Sequence, residues 1–312
     1  MKFPLKTLFT AAGAFLLFTG CATPDVTAQR TVPVTAAPTA TNDNADPALW
    51  VVKDKDTTIY LFGTVHLLTP GLSWFDEAVK EAFDKSDTLV TEIADGNEAA
   101  MAPLVMKYAA ASDGKKLSER MNPEQKARYD AAMTRIGLPP ARFEIFDPWF
   151  PMVAMAMGQY AKAGMNPNDG VEKTLYKAAS DAKKAQAALE TAEQQFGWLD
   201  SIPQAEQLAG LMGAVDKDDA EARKFVEEMT QAWTAGDADS LAQLINQDWD
   251  DTPETRRIML TDRNARWAEW IATRMDKPGT VFMAVGAGHL AGDDSVQSFL
   301  QKRGIKVKRV VY

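Results

Sequence analysis

Cysteine and histidine are almost missing from this chain of 312 residues: the only Cys is Cys21 and the only His are His66 and His289. One thiol forms no internal disulfide and supplies neither a Cys-x-x-Cys redox pair nor a cysteine-rich metal site. Any imidazole chemistry must run through one or both histidines, and no His-Glu-x-x-His helix of the zincin type exists. Positive charge is also short, with 34 Lys plus Arg against 43 Asp plus Glu and a formal net charge of −9. The only basic run of note lies in the last few residues, which argues against a nucleic-acid partner. No apolar run reaches the ~20 residues that cross a bilayer as a helix. What is present, 46% hydrophobic and 25% charged residues, suits one large or two small domains with a substantial core.

The first residues read as an address. Lys2 and Lys6 precede the apolar stretch Leu8 to Phe18, the pattern of a signal-peptide core, so residues 1–20 are expected to be a signal peptide. Phe18-Thr19-Gly20-Cys21 resembles the lipobox of bacterial lipoproteins, with Phe18 where that pattern usually has Leu. The resemblance implies cleavage before Cys21, acyl chains on its sulfur as the membrane anchor, and a formal charge moved from −9 to −11 by loss of the two lysines. Ala22, rather than Asp, resembles enterobacterial sorting to the outer membrane and implies a periplasm-facing lipoprotein. A buried free Cys in a plain secreted protein is the alternative. Residues 21–46 are mostly Thr, Ala, Pro, Asn and Asp, too poor in large apolar groups to offset their ordering entropy. They are expected to be a flexible tether, and 47–312 the folded domain.

Within that domain, Thr57–Phe62 reads as a strand ending at a Gly, Ser73 with Asp76 and Glu77 opens a helix to about Lys85, and Leu89–Ile93 is a second strand. Strand, helix and strand within about 35 residues indicate a parallel unit. The middle, from about Asn97 to Met275, reads as mostly helical. Asn122-Pro123 and Thr252-Pro253 are cap-and-proline starts, and Asp169 is a cap for the helix that follows it. Ala185–Thr191 is a weak strand candidate. Thr280–Val285, a helix from about Asp294 to Lys302, and a last strand in IKVKRVVY complete the chain. The expected class is α/β: a mainly parallel central sheet built from both chain ends, with a large helical middle segment packed over it.

Both histidines follow an apolar strand in the same setting, Gly-x-x-His-Leu, as LFGTVHLL around His66 and AVGAGHLAG around His289. Open α/β sheets build their sites just past the carboxyl ends of parallel strands, and the two turns face one crevice if their strands are neighbours. Glu92, in LVTEIA, marks a third strand end. A carboxylate buried there costs several kcal/mol unless it is paired. A cation satisfies it, and two imidazoles with one carboxylate form a divalent-metal set; an Arg beneath the helical layer satisfies it equally. Arg263 shares a stripe with Met259, Trp267 and Trp270, and Asn264 adjoins that face. An inward Arg suits a substrate carboxylate or a developing oxyanion, or else pairs with Glu92 or Glu190. Glu190 and Glu193 lie close together after the weak strand.

These stretches, with GVEKTLYKAA and ALETAEQQ, resemble the TraB/GumN family, which includes the Tiki membrane proteases and is distantly related to erythromycin esterase and the ChaN-like haem-binding lipoproteins. The resemblance covers about Trp50 to Tyr312. It implies a metal-dependent centre at His66, Glu92 and His289, holding manganese, cobalt or zinc. The expected function is a divalent-metal-dependent hydrolase of the cell envelope acting on a peptide or small-molecule substrate. Arg263 and Asn264 are to position substrate or oxyanion, with Glu190, or Glu92, as general base. Where the family often has Gly-Leu-Asp this chain has Gly170-Val171-Glu172, and no role is assigned there. Two rivals stand beside this reading: a non-catalytic lipoprotein that binds haem or a metal, with Pro151–Tyr160 as its only Met- and Tyr-rich candidate, and a regulatory interaction protein with a relic site. The anchor is tested directly: Cys21→Ser should abolish acyl labelling and release the protein from the membrane fraction, and unchanged fractionation of an unlabelled wild type would refute it.

Overall fold

The structure is a computed structural model that describes residues 44–94, 98–246 and 251–312. The expected signal peptide, Cys21 and the expected tether up to residue 43 lie outside the described residues. The framework starts at Asn44, where Ala45 N–H donates to Ser73 O and Asp46 N–H to Thr234 O. Ala45 is buried in this contact.

In chain order the elements are β1 (Leu49–Lys53), β2 (Thr57–Thr64), α1 (Glu77–Lys85), β3 (Thr88–Thr91), α2 (Glu98–Ala109), α3 (Pro123–Arg135), α4 (Trp149–Lys162), α5 (Val171–Asp181) and β4 (Ala185–Ala188). There follow α6 (Ala192–Ser201), α7 (Gln204–Asp216), α8 (Asp219–Thr234), α9 (Ala238–Asn246), α10 (Pro253–Arg256), α11 (Asp262–Arg274), β5 (Gly279–Gly286), α12 (Val296–Lys302) and β6 (Val307–Arg309). Among the described residues no helix is long and apolar enough to cross a membrane.

The six strands form one mixed sheet in the order β4-β3-β5-β2-β1-β6. The run from β4 to β2 is parallel, while β1 joins β2 and β6 antiparallel. Chain ends thus build most of the sheet, as expected of this α/β class, with β4 contributed by the helical middle. β5 lies between β2 and β3, so the two strands of the first parallel unit do not touch. The two strands that carry Gly-x-x-His motifs do: β2 and β5 are paired throughout, from Thr57↔Gly279 to Thr64↔Gly286.

Side-chain alternation along these strands feeds two cores. Ile59, Leu61, Val281, Met283 and Val285 pack with Trp267 and Ile271 of α11 and Leu300 of α12. On the other face, Phe62, Phe282 and Ala284 pack with residues of α1, α5, α8 and α9, including an aromatic group of Phe62, Trp74 and Trp233. A third cluster, from α3, α4, α6, α7 and Ile258–Leu260, forms the helical lobe. Met152, Met155 and Tyr160 of the Met-rich run are core residues.

Local chemistry fixes the helix starts. The Asn122 side chain accepts from Gln125 N–H ahead of Pro123, a capping box. Asp169 is not the cap expected: Pro167–Asp169 form a 3-10 turn, and Gly170 takes the N-cap position of α5. The long helix after Thr252 is interrupted by a π turn at Arg257–Thr261. The first glycine of LFGTVHLL owes its place to packing. A Cβ on Gly63 would meet Ala287 of the second histidine loop at 3.1 Å, and Gly63 O already accepts from Trp233 Nε1. Gly63→Ala is therefore expected to destabilise by about 1–3 kcal/mol, read as a lowered thermal midpoint with secondary structure retained.

Candidate functional site

The carboxyl ends of the parallel strands bring the predicted residues to one side of the sheet. β2 runs through Gly63-Thr64 into the loop of His66. That loop is held by Val171 N–H donating to Val65 O and Asn166 N–H to Leu68 O. The approach is close: a Cβ on Gly170 would lie 2.3 Å from His66 O, so only glycine lets α5 begin there. Glu172, in the first turn of α5, then meets His66, with Oε1 at 2.7 Å from Nδ1. Tyr176, one turn on, donates to Ile93 O beside Glu92. Facing a carboxylate, Nδ1 carries the proton of the neutral ring and leaves the lone pair on Nε2. That Nε2 is buried without a hydrogen-bond partner, although the side chain is 14% exposed. The Thr64 hydroxyl is likewise buried, beside the Glu172 carboxylate that it helps to stabilise.

Burial lowers the affinity of His66 for its proton, but the charge and hydrogen bond of Glu172, with Glu92 farther off, outweigh burial and the repulsion of Arg263. The net shift is upward from 6.5. For Glu172 burial works upward, and His66 outweighs it to hold the carboxyl below 4.5.

His289 sits on the 3-10 turn after β5 and has no exposed surface. Its Nδ1 lies 2.5 Å from Asn264 Oδ1 and its Nε2 3.2 Å from Arg263 Nη1. Arg263 is always a donor, so Nε2 accepts and Nδ1 donates. Asn264 completes its bonding by donating from Nδ2 to Asp294 O at 2.7 Å.

Arg263 is the centre of the cluster, with 0% exposure. Nε donates to Glu190; Nη1 faces Met259 O and His289 Nε2; Nη2 donates to Glu92 Oε2 at 2.6 Å and Glu190 Oε2 at 2.7 Å. All five N–H directions of the guanidinium are thereby used. Its faces pack on Trp267 and Trp198, with the guanidinium carbon 4.8 and 5.7 Å from the ring centroids. Burial alone would loosen its proton, but Glu92 and Glu190 more than compensate and raise its pKa. The carboxylates are equally saturated. Glu92 Oε1 accepts from Gly286 N–H at 2.7 Å and Oε2 also from Gln195; Glu190 accepts from Trp267 Nε1 at 2.8 Å and Gln195 at 2.9 Å. Glu193 lies apart on the surface, paired with Lys107.

The structure therefore assembles Glu92, Glu190, Arg263, Asn264 and His289 into one buried network, and leaves His66 at its margin with Glu172. Among the described residues no three His, Cys, Asp or Glu side chains are grouped to hold a metal ion. His66, Glu92 and His289 as they stand do not fit such a set, because the His289 lone pair and the Glu92 oxygens are spent on protein donors. Arg263 and Asn264 have no donor left for a substrate.

With this geometry in view, the model of the TraB/PrgY/gumN family matches residues 48–309. The chain belongs to the TraB/PrgY/gumN family. An uncharacterized protein of Treponema pallidum (strain Nichols) is 21% identical over 81% of this chain and 80% of its own length. The uncharacterized protein YbaP of Escherichia coli (strain K12) is 22% identical over 82% of this chain and 92% of its own, and YbaP of Shigella flexneri covers the same shares at the same identity. No solved structure matches the chain.

Sequence reasoning missed Glu172, Gln195 and the Met259 carbonyl. The signal for Glu172 was its place in the first turn of a helix that begins at a glycine, where an acid is favoured by the helix dipole. Nothing in the sequence marked Gln195 or a backbone carbonyl. The His66–Glu172 pair has a pH signature. A raised His66 stabilises the fold below about pH 6.5 and loses that effect as pH rises through its folded value. A lowered Glu172 stabilises above about 4.5 and loses it as pH falls. Glu172→Gln should therefore lower the thermal midpoint most between about pH 4.5 and 6.5, with the gap to wild type narrowing on both sides. A gap independent of pH would show that the pair carries no coupled charge.

Proposed function

We propose that this family member is a hydrolase of the cell envelope in which His66, held by Glu172, takes the proton of an attacking water. The observation that carries this reading is the buried Nε2 of His66, a ring nitrogen with no partner, aimed by a carboxylate on Nδ1 at the carboxyl edge of a parallel sheet. A base oriented by a third group is the arrangement general-base catalysis uses, and positioned bases contribute roughly 10²–10⁴-fold. Glu190 and Glu92 are poorer bases here, since each already accepts from several donors. They and Arg263 act by holding the ends of β3, β4 and β5 in place beneath the His66 loop. Anchorage through an acylated Cys21 and an ester or peptide-bond substrate belong to the same proposal.

The same atom favours one other reading, capture of a metal or haem iron without turnover, because an imidazole with a free Nε2 and a carboxylate on Nδ1 is also how a ligating histidine is held. The two part on turnover. The full chain, purified in detergent, is assayed against p-nitrophenyl esters and fluorogenic peptides with and without a chelator. Hydrolysis is expected to persist with chelator, to rise with pH as the raised His66 loses its proton, and to fall by about 10²–10⁴-fold in His66→Ala. Full activity in that variant would overturn the base assignment; stoichiometric haem or metal binding lost in His66→Ala, with no turnover in wild type, would favour capture.

A further inference from the structure

We propose that a cavity beside Trp198 binds a short peptide with both ends free, its carboxylate on Arg266, its ammonium against Glu254 and Asp262, and its apolar side chain on Trp198, Pro203 and Ile258. His66 is not part of this site, and the binding stands whether or not His66 turns a substrate over.

The cavity has a volume of about 310 Å³, at the small end of the range that holds organic ligands. It is built from the end of α6, the turn into α7, α10 and the start of α11. Trp198, Pro203 and Ile258 give it an apolar surface, and Glu254, Arg257, Asp262 and Arg266 give it charge. The π turn at Arg257–Thr261 places Arg257 and Ile258 in this lining, and mid-helix π turns recur at functional sites.

The two arginines are not equivalent. Arg257 is engaged: Nε and Nη2 donate to Glu254 Oε2 at 3.2 and 2.9 Å, and Nη1 donates to Asp262 Oδ2 at 2.5 Å. Arg266 is exposed and has no ion pair or hydrogen bond among the described residues. Asp262, one helical turn before it and its ordinary partner, is held by Arg257 instead. What fixes Arg266 is the Trp198 ring, with the guanidinium carbon 4.4 Å from the centroid. Such stacking holds the planar fork in place and leaves its N–H edge open, the arrangement that takes a carboxylate through two parallel bonds.

The acids are complementary to the other end of the ligand. Glu254 and Asp262 share the single positive charge of Arg257, and Glu254 Oε1 and Asp262 Oδ1 accept no hydrogen bond from the described residues. An open cation, two half-compensated carboxylates and an apolar surface in one small cavity match a peptide zwitterion. A simple anion is repelled by the acids, and a simple cation by Arg266.

Full-length wild type and His66→Ala, labelled with 5-fluorotryptophan and held in detergent, are titrated with the dipeptide Ala-Phe, its C-terminal amide and its N-acetyl form. Binding is followed by fluorine NMR, with the Trp198 signal assigned through Trp198→Phe. Ala-Phe should shift the Trp198 signal equally in both proteins, which separates this site from the proposed base. Blocking either end should weaken binding by about three- to tenfold. Arg266→Gln should lose the preference for a free carboxylate and keep that for a free amine; Glu254→Gln should do the reverse. Both side chains are exposed, so neither substitution should prevent folding. The proposal is overturned if Ala-Phe leaves the Trp198 signal unmoved, if blocked and free peptides bind equally, or if Arg266→Gln discriminates among them as wild type does.

Discussion

The contact between Arg263 and its two carboxylates is the constraint on which the carboxyl edge of the sheet depends. Glu92 follows β3, Glu190 follows β4, and His289 follows β5; each is joined to the others through one planar guanidinium. Desolvating three charges is costly, and a buried ion pair is stabilising only when the geometry is good and every remaining lone pair is satisfied. Here Gly286 N–H, Gln195 and Trp267 Nε1 complete the carboxylates. A lysine would not reproduce this, because its single ammonium cannot reach in the fixed directions of the fork.

That arrangement separates two histidines with the same sequence setting. His289 lies at the end of β5, which has parallel neighbours on both sides, and beneath α11; it is enclosed on every side and both ring nitrogens are engaged. His66 follows β2, next to the antiparallel half of the sheet, where the start of α5 packs on its loop and its side chain keeps 14% exposure. Its Nδ1 meets a carboxylate, and its Nε2 meets nothing. One imidazole is thus part of the frame, and the other keeps a ring nitrogen without a hydrogen-bond partner. The close packing of Gly63 on Ala287 sets the two loops side by side.

Much of this was legible in the sequence, for reasons that differ by residue. β2 and β5 are apolar and β-branched, with glycine last in β5 and next to last in β2, so their bounds were nearly right. The Gly-x-x-His motifs placed both histidines at strand ends, and the stripe of Met259, Arg263 and Trp267 correctly turned Arg263 inward. Long-range choices were not legible. The pattern of charges leaves open whether Glu92 meets an ion or an arginine, and both were weighed; only the packing of α11 on the sheet face of Val90 and Met283 decides. β1 was read merely as the start of the folded part, and the π turn was read as ordinary helix because one extra residue per turn leaves no mark on a short apolar stripe. Asp169 looked like the cap because it is the better capping residue, but the space beside His66 O admits only Gly170 at that point.

The order of strands bears on how such a chain folds. β5 supplies the ladder between β2 and β3, and its pairing spans the chain from Thr57 to Gly279. Until that late segment is available, β2 and β3 have no common partner and the sheet has no centre; contacts this distant in sequence close slowly. A chain that lacks this segment has helices over an unfinished sheet. Compaction then waits for residues 279–286, so the arrival of β5, and not of the first half, joins the two strands that carry His66 and Glu92 at their ends into one sheet.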